Sequence, residues 1–78
     1  MGNKTITLTL TPAQALVLFE WLSRNDSAEA FSFEDSAEQQ VVWSIEGQLE
    51  STLVEPLSED YKSLLDQART KVRAGTEE

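Results

Sequence analysis

The segment that most limits how this chain can fold is Thr11–Arg24, which is apolar around nearly its whole circumference when drawn as a helix. Thr11 is a favourable N-cap, Pro12 falls at the first helical position, and Gln14 completes a capping-box spacing. The apolar residues of this segment lie on more than one face and are Ala15, Leu16, Val17, Leu18, Phe19, Trp21 and Leu22. Such a helix is normally buried on several sides. We therefore predict a central helix over residues 12–24, with Leu16, Leu18, Phe19 and Leu22 at the core.

The segment before this helix, residues 4–10, has the pattern of a β-strand. Threonine alternates there with Ile6, Leu8 and Leu10, as expected of a strand with one buried face. A strand needs a neighbour for its backbone N–H and C=O groups. Within the chain the candidate neighbour is the short segment Ala30–Glu34. The alternatives are a copy of the strand in a second subunit, or a strand of a partner protein.

Two further helices are predicted, over residues 37–54 and 58–74. Ser36 and Gln39 repeat the capping box before the first of them, whose predicted core stripe consists of Val41, Val42, Ile45, Leu49 and Leu53. Ser58 is the predicted N-cap of the second and Gly75 the residue that ends it. Its narrower apolar stripe consists of Tyr61, Leu64, Leu65, Ala68 and Val72.

These elements predict an α+β fold that is mostly helical, with one short N-terminal strand and three helices. The chain has 78 residues, which corresponds to a single domain over residues 1–78. A chain of this length buries only a thin core, and small domains often need a further stabilising device. With no cysteine for a disulfide, self-association is the device that remains.

Charge and composition argue against several classes of function. The net charge of −8 disfavours nucleic acids and anionic membrane surfaces as partners. Histidine and cysteine are absent from the sequence, and no glycine-rich phosphate loop or nucleophile–base spacing is present. We therefore predict that the protein is not an enzyme and has no cofactor or metal site. No signal-peptide pattern opens the sequence, so a cytoplasmic location is expected.

The acidic residues are unevenly distributed. From Asn25 to Asp60 there are ten acidic residues and no lysine or arginine. Simple solubility explains part of this bias. A functional interpretation is complementarity to a basic partner, because opposite charges steer association and disfavour wrong partners. Glu38, Glu46 and Glu50 of the second predicted helix are the candidates for this steering.

A second line of residues on the same helix is the best candidate for an anchor. Trp43, Gly47, Glu50 and Val54 are spaced at i, i+4, i+7 and i+11, on the side opposite the predicted core stripe. Tryptophan is enriched at interface hot spots, and glycine lets another backbone approach closely. The alternative is a wider core in which the N-terminal strand or the following loop covers Trp43.

In size, acidity and absence of cysteine the chain resembles the small bacterial immunity proteins and antitoxins that inhibit basic nuclease toxins. No motif carries this likeness. The resemblance implies a non-enzymatic inhibitor that binds a basic partner protein through its acidic surface. The alternative prediction is a homodimeric structural or regulatory protein, in which the chain is its own partner.

Overall fold

The computed structural model describes residues 4–75 of the chain, which form three α-helices and one short 3-10 helix. Helix α1 spans Pro12–Ser27, α2 spans Ser36–Thr52 and α3 spans Tyr61–Ala74. The 3-10 helix, Glu55–Leu57, connects α2 to α3. α1 packs against both other helices and most extensively against α3.

The predicted N-terminal strand is wrong, and with it the α+β fold class. Between residues 4 and 75 there is no strand and no sheet, so the fold is all-helical. Residues 4–10 have no regular secondary structure, and the side chains of Ile6 and Leu8 are 86% and 81% exposed. Segment 30–34 is also irregular. The alternating pattern expresses a local preference, but a strand forms only where a second backbone accepts its hydrogen bonds.

The capping box predicted at the start of α1 is present. The hydroxyl of Thr11 accepts a hydrogen bond from the backbone N–H of Gln14 at 3.1 Å. In return, Oε1 of Gln14 accepts from the backbone N–H of Thr11 at 2.9 Å. The helix then continues beyond Arg24 and ends at Ser27. This extra turn places Asp26 on the helix rather than in the following loop.

The core lies between α1 and α3. Its buried residues are Ala13, Leu16, Phe19, Leu22, Leu65 and Ala68. Tyr61 and Val72 pack partly buried at its edge, as the stripe predicted for α3 requires. The phenol of Tyr61 also donates a 2.7 Å hydrogen bond to Glu20 of α1. Burial raises the pKa of Tyr61, and this hydrogen bond raises it further by a smaller amount. These contacts make α1 and α3 the better-packed pair.

α3 begins later than residue 58. Ser58 instead accepts, through its hydroxyl, the backbone N–H of Asp60 at 3.0 Å, and the helix starts at Tyr61. The other end agrees with the sequence, because Gly75 follows the helix in the left-handed conformation, with φ of 70°. Glycine adopts this conformation without the steric cost that other residues meet.

α2 packs less deeply than the sequence predicts. Every one of its 17 residues lies within the described part of the chain, and none of them is fully buried. Its partly buried residues recur at helical spacing and are Gln39, Val42, Glu46 and Leu49, continued by Leu53 just past its end. Val41 and Ile45, which were predicted to lie in the core, are 58% and 38% exposed. Val42, Leu49 and Leu53 of the predicted stripe are therefore confirmed on the packed side. Val41 and Ile45 are wrong, because α2 turns Glu46 inward and leaves these two apolar residues outside.

The start of α2 also differs in detail from the prediction. Its N-cap is Asp35, whose carboxylate accepts the backbone N–H of Ala37 at 2.7 Å. Ser36 is therefore the first helical residue rather than the cap. Aspartate and serine are about equally favourable at this position, so the sequence alone does not choose between two adjacent candidates.

Candidate partner-binding surface

Trp43 is half-exposed on α2 and held in a defined orientation. Its side chain is 50% exposed, and its indole N–H donates to Oδ1 of Asp26 at 3.3 Å. Asp26 lies in the last turn of α1, so this hydrogen bond connects the two helices. A large aromatic side chain that is oriented by a hydrogen bond on one side and exposed to solvent on the other resembles the side chains found at interface hot spots.

The structure brings together most of the line predicted around Trp43. Trp43, Gly47 and Glu50 line an open concavity of about 270 Å³, together with Asp26 and Glu46. Val54 does not belong to it. α2 ends at Thr52, so the helical spacing stops before Val54, whose side chain is 71% exposed.

Gly47 leaves this surface open. A Cβ atom built at Gly47 meets no atom within 4 Å. We therefore expect Gly47→Ala to raise the free energy of unfolding by about 0.5–1 kcal/mol, because glycine weakens a helix interior relative to alanine. Gly75→Ala is the matched control, since the left-handed backbone there should make the same change destabilising by roughly 1–2 kcal/mol. Urea unfolding of both variants would measure these changes in the free energy of unfolding, which should have opposite signs. A destabilised Gly47→Ala protein would contradict this description of α2.

Glu46 is the acidic residue of the surface that points inward. Among the residues that the structure describes, its Oε1 atom is shielded from solvent and has no hydrogen-bond partner. Burial raises the pKa of Glu46, and the nearby carboxylates of Asp26 and Glu50 raise it further. The charged form of Glu46 is thus disfavoured in the folded protein, and the side chain is poorly placed to steer a distant partner.

The raised pKa of Glu46 predicts how its replacement changes stability with pH. Because the folded state holds this proton more tightly than the unfolded state, stability falls as pH rises from the ordinary value of 4.5 through the folded pKa. Glu46→Gln should therefore stabilise the protein at pH above that window, with the gain vanishing below it. Glu34→Gln is the control because it removes the same charge from an exposed position. Equal gains at neutral pH in thermal melts would show that Glu46 contributes only to the net charge.

Glu38 occupies a different position from the other predicted residues. It lies in the first turn of α2, where its carboxylate accepts the backbone N–H of Glu34 at 2.9 Å. It is exposed but does not line the concavity beside Gly47. The structure therefore gives Glu38 a local role at the helix start, and its exposed carboxylate keeps its negative charge there.

A second concavity lies beside Trp43 and was not found from the sequence. It measures about 330 Å³ and is lined by Asp26, Glu29, Phe31, Phe33, Gln39 and Trp43. The rings of Phe31 and Phe33 are 5.4 Å apart, and Phe31 packs edge-on against Trp21 at 5.5 Å. Asp26 was missed because the predicted α1 ended before it. Phe31 and Phe33 form an aromatic wall on one side of this concavity, and their spacing by one residue was the available signal for it in the sequence.

The remaining chemistry of residues 4–75 is sparse. No group of three or more acidic side chains is arranged there to hold a metal ion. No helix in that range is long and apolar enough to cross a membrane. Comparisons of the chain with protein-family models, with curated proteins and with solved structures found no match.

Proposed function

We propose that the chain is a non-enzymatic, cytoplasmic protein-binding module that recognises a basic partner protein through α2 and the loop before it. The observation that carries this proposal is the packing of α2. Trp43 remains 50% exposed beside two open concavities, although burying such side chains is the main source of stability in a small protein. Val41 and Ile45, on the opposite flank of α2, are 58% and 38% exposed and belong to neither concavity. The exposure of Trp43 is explained if a partner covers it.

The charge around this surface selects the kind of partner. No lysine or arginine occurs between Asn25 and Asp60, so the loop and the whole of α2 present carboxylates alone. Such a surface repels acidic proteins and attracts basic ones over about a Debye length, roughly 8–10 Å at physiological salt. Trp43 then provides close packing once the partner has arrived.

Inhibition is the most specific form of this proposal. A small acidic protein that covers a basic active surface acts as an immunity protein or antitoxin does. The resemblance in size, charge and absence of cysteine supports this form, together with the exposed anchor at Trp43. Inhibition needs no catalytic group on the chain itself.

The experiment that tests the proposal is capture at two salt concentrations with charge-matched variants. The immobilised protein should retain a basic protein from a lysate of its source cells, and high salt should release it. The double variant Glu38→Gln/Glu50→Gln should retain less of it than the control Glu55→Gln/Glu59→Gln, which loses the same charge outside α2. If retention of the captured protein depended neither on salt concentration nor on Glu38 and Glu50, the proposal would be refuted.

A homodimer is the second candidate, and a separate surface favours it. Ile6 and Leu8 are the most exposed aliphatic side chains before α1, and residues 1–19 contain no acidic residue. Two copies of an acidic chain repel each other least where their surfaces lack acids. A molar mass near twice 8.7 kDa at both low and high salt would support this candidate, and a monomer at high concentration would exclude it.

A further inference from the structure

We infer that the concavity beside Trp43 is an aromatic cage that receives one cationic side chain, an arginine or a lysine, of the partner. This inference rests on the proposed function and names the chemistry of its central contact. The cage is lined by Asp26, Glu29, Phe31, Phe33, Gln39 and Trp43, which combine aromatic rings with two carboxylates. Cations bind favourably over aromatic faces, and more strongly when carboxylates lie nearby.

The aromatic wall is supported from behind, which keeps it in place before a ligand arrives. Phe31 contacts Trp21 edge-to-face, with an interplanar angle of 74°, and Phe33 packs against Phe31 at a tilt of 35°. Both phenylalanines are half-buried, so each is fixed on one side and open on the other. Preorganised side chains lose little entropy on binding, which increases the affinity of the contact.

Asp26 has a double role in the cage. One carboxylate oxygen accepts the indole N–H of Trp43 at 3.3 Å and so fixes the ring. A carboxylate can accept several hydrogen bonds, which leaves capacity for a guanidinium or ammonium group. Glu29 supplies the second charge from the turn after α1, where its backbone has a φ of 54°.

The size and surroundings of the cage favour a side chain from another protein over a ligand from this chain. About 330 Å³ is at the lower end of the volumes of pockets that bind whole small molecules. The nearest base in sequence, Arg24, is paired with Glu20 at 3.5 Å. No other base follows until Lys62. The cage therefore offers negative charge and aromatic faces, and the base nearest to it in sequence is paired with Glu20.

The test is a titration of the intact protein with N-acetyl-arginine amide, followed by the two indole N–H resonances in NMR spectra. The probe should produce a saturable shift of the Trp43 resonance and leave Trp21, which lies behind the wall, nearly unchanged. N-acetyl-citrulline amide is the control probe, because it has the same shape without the charge. It should bind about tenfold more weakly.

The double variant Asp26→Asn/Glu29→Gln keeps the shapes of the side chains and an acceptor for the Trp43 indole but removes both charges. It should reduce the affinity for the arginine probe about tenfold or more. A melting temperature no lower than that of the unchanged protein is the check on folding, because loss of the Asp26 charge also relieves its repulsion of Glu46. Phe33→Leu is the second variant and should weaken the probe while leaving the charges intact. Equal binding of the arginine and citrulline probes, or no shift at Trp43, would overturn the inference.

The outcome separates the cage from the proposed function. If the protein captures a basic partner in a salt-dependent way and the arginine probe leaves Trp43 unshifted, the cage is wrong and the binding module stands. If the probe binds in the cage and no basic partner is captured, the proposed function fails and the cation site stands.

Discussion

Replacing Leu16 with alanine is expected to lower the free energy of unfolding by about 2–5 kcal/mol, a large share of the stability of so small a domain. Leu16 is 4% exposed and lies in the same cluster as Ala13, Leu65 and Ala68. The substitution removes apolar contacts and leaves a cavity between α1 and α3 that the helices can close only in part. Urea unfolding followed by circular dichroism would measure the loss.

Val41→Ala is the control for this prediction, because it also shortens an aliphatic side chain in a helix. Val41 is 58% exposed on α2, so its truncation should change the free energy of unfolding by less than about 0.5 kcal/mol. A loss at Val41 comparable with that at Leu16 would mean that the outer face of α2 is packed in solution.

The contrast between these two positions describes how stability is divided over the molecule. α1 and α3 share the buried cluster, whereas α2 contributes partly buried side chains and the inward carboxylate of Glu46, whose charged form is disfavoured. Regions with few buried apolar contacts open at lower free energy than the core does. We therefore expect the amide protons of α2 to exchange with solvent faster than those in the middle of α1. A helix that packs this weakly leaves its outer face exposed to solvent.

The parts of the fold that could be predicted are those decided by local chemistry. The capping box of Thr11 and Gln14, the proline that follows it and the glycine after α3 each satisfy backbone groups within a few residues. The apolar stripe of α3 was also predicted correctly, because its other face is polar and leaves one way to pack. Leu16 and Phe19 were placed in the core because α1 had to be central.

The parts that could not be predicted depend on distant neighbours. The alternation of residues 4–10 favours a strand only if another backbone lies beside it, and nothing local reports that. α2 has apolar residues on several sides, so the hydrophobic pattern placed Val41 and Ile45 in the core. In the structure the partly buried side of α2 includes Glu46 instead. An inward glutamate runs against the hydrophobic pattern. It would have been placed correctly only from knowledge of where α1 ends.

The same limit applies to the candidate surface. Trp43, Gly47 and Glu50 were grouped by helical spacing alone, and the structure lines one concavity with them. Asp26, which orients the tryptophan, lies 17 positions earlier in the sequence. Its contact required both the extra turn of α1 and the course of the loop. Spacing within a helix therefore grouped Trp43 with Gly47 and Glu50 but could not show that Asp26 orients the tryptophan.

Replacing Trp43 with alanine is expected to lower the affinity for the captured basic partner by about 30-fold or more. This loss corresponds to the roughly 2 kcal/mol that defines an interface hot spot. Trp43 is oriented by Asp26, borders both concavities of the surface and is 50% exposed. The free energy of unfolding should change far less, because the lost hydrogen bond is exposed and Trp43 lies outside the buried core. Isothermal titration calorimetry and thermal melting of the same variant would measure the two effects.

Trp21→Ala is the matched control for Trp43→Ala. Trp21 has nearly the same exposure, 48%, but its ring supports Phe31 from behind the aromatic wall. Its loss should therefore reduce stability more and partner affinity less than the loss of Trp43. If the two variants lost the same affinity, the effect would lie in the general integrity of the loop, and Trp43 would not be the anchor. If Trp21→Ala alone abolished binding, the partner would sit on the opposite side of the wall, away from the acidic face of α2.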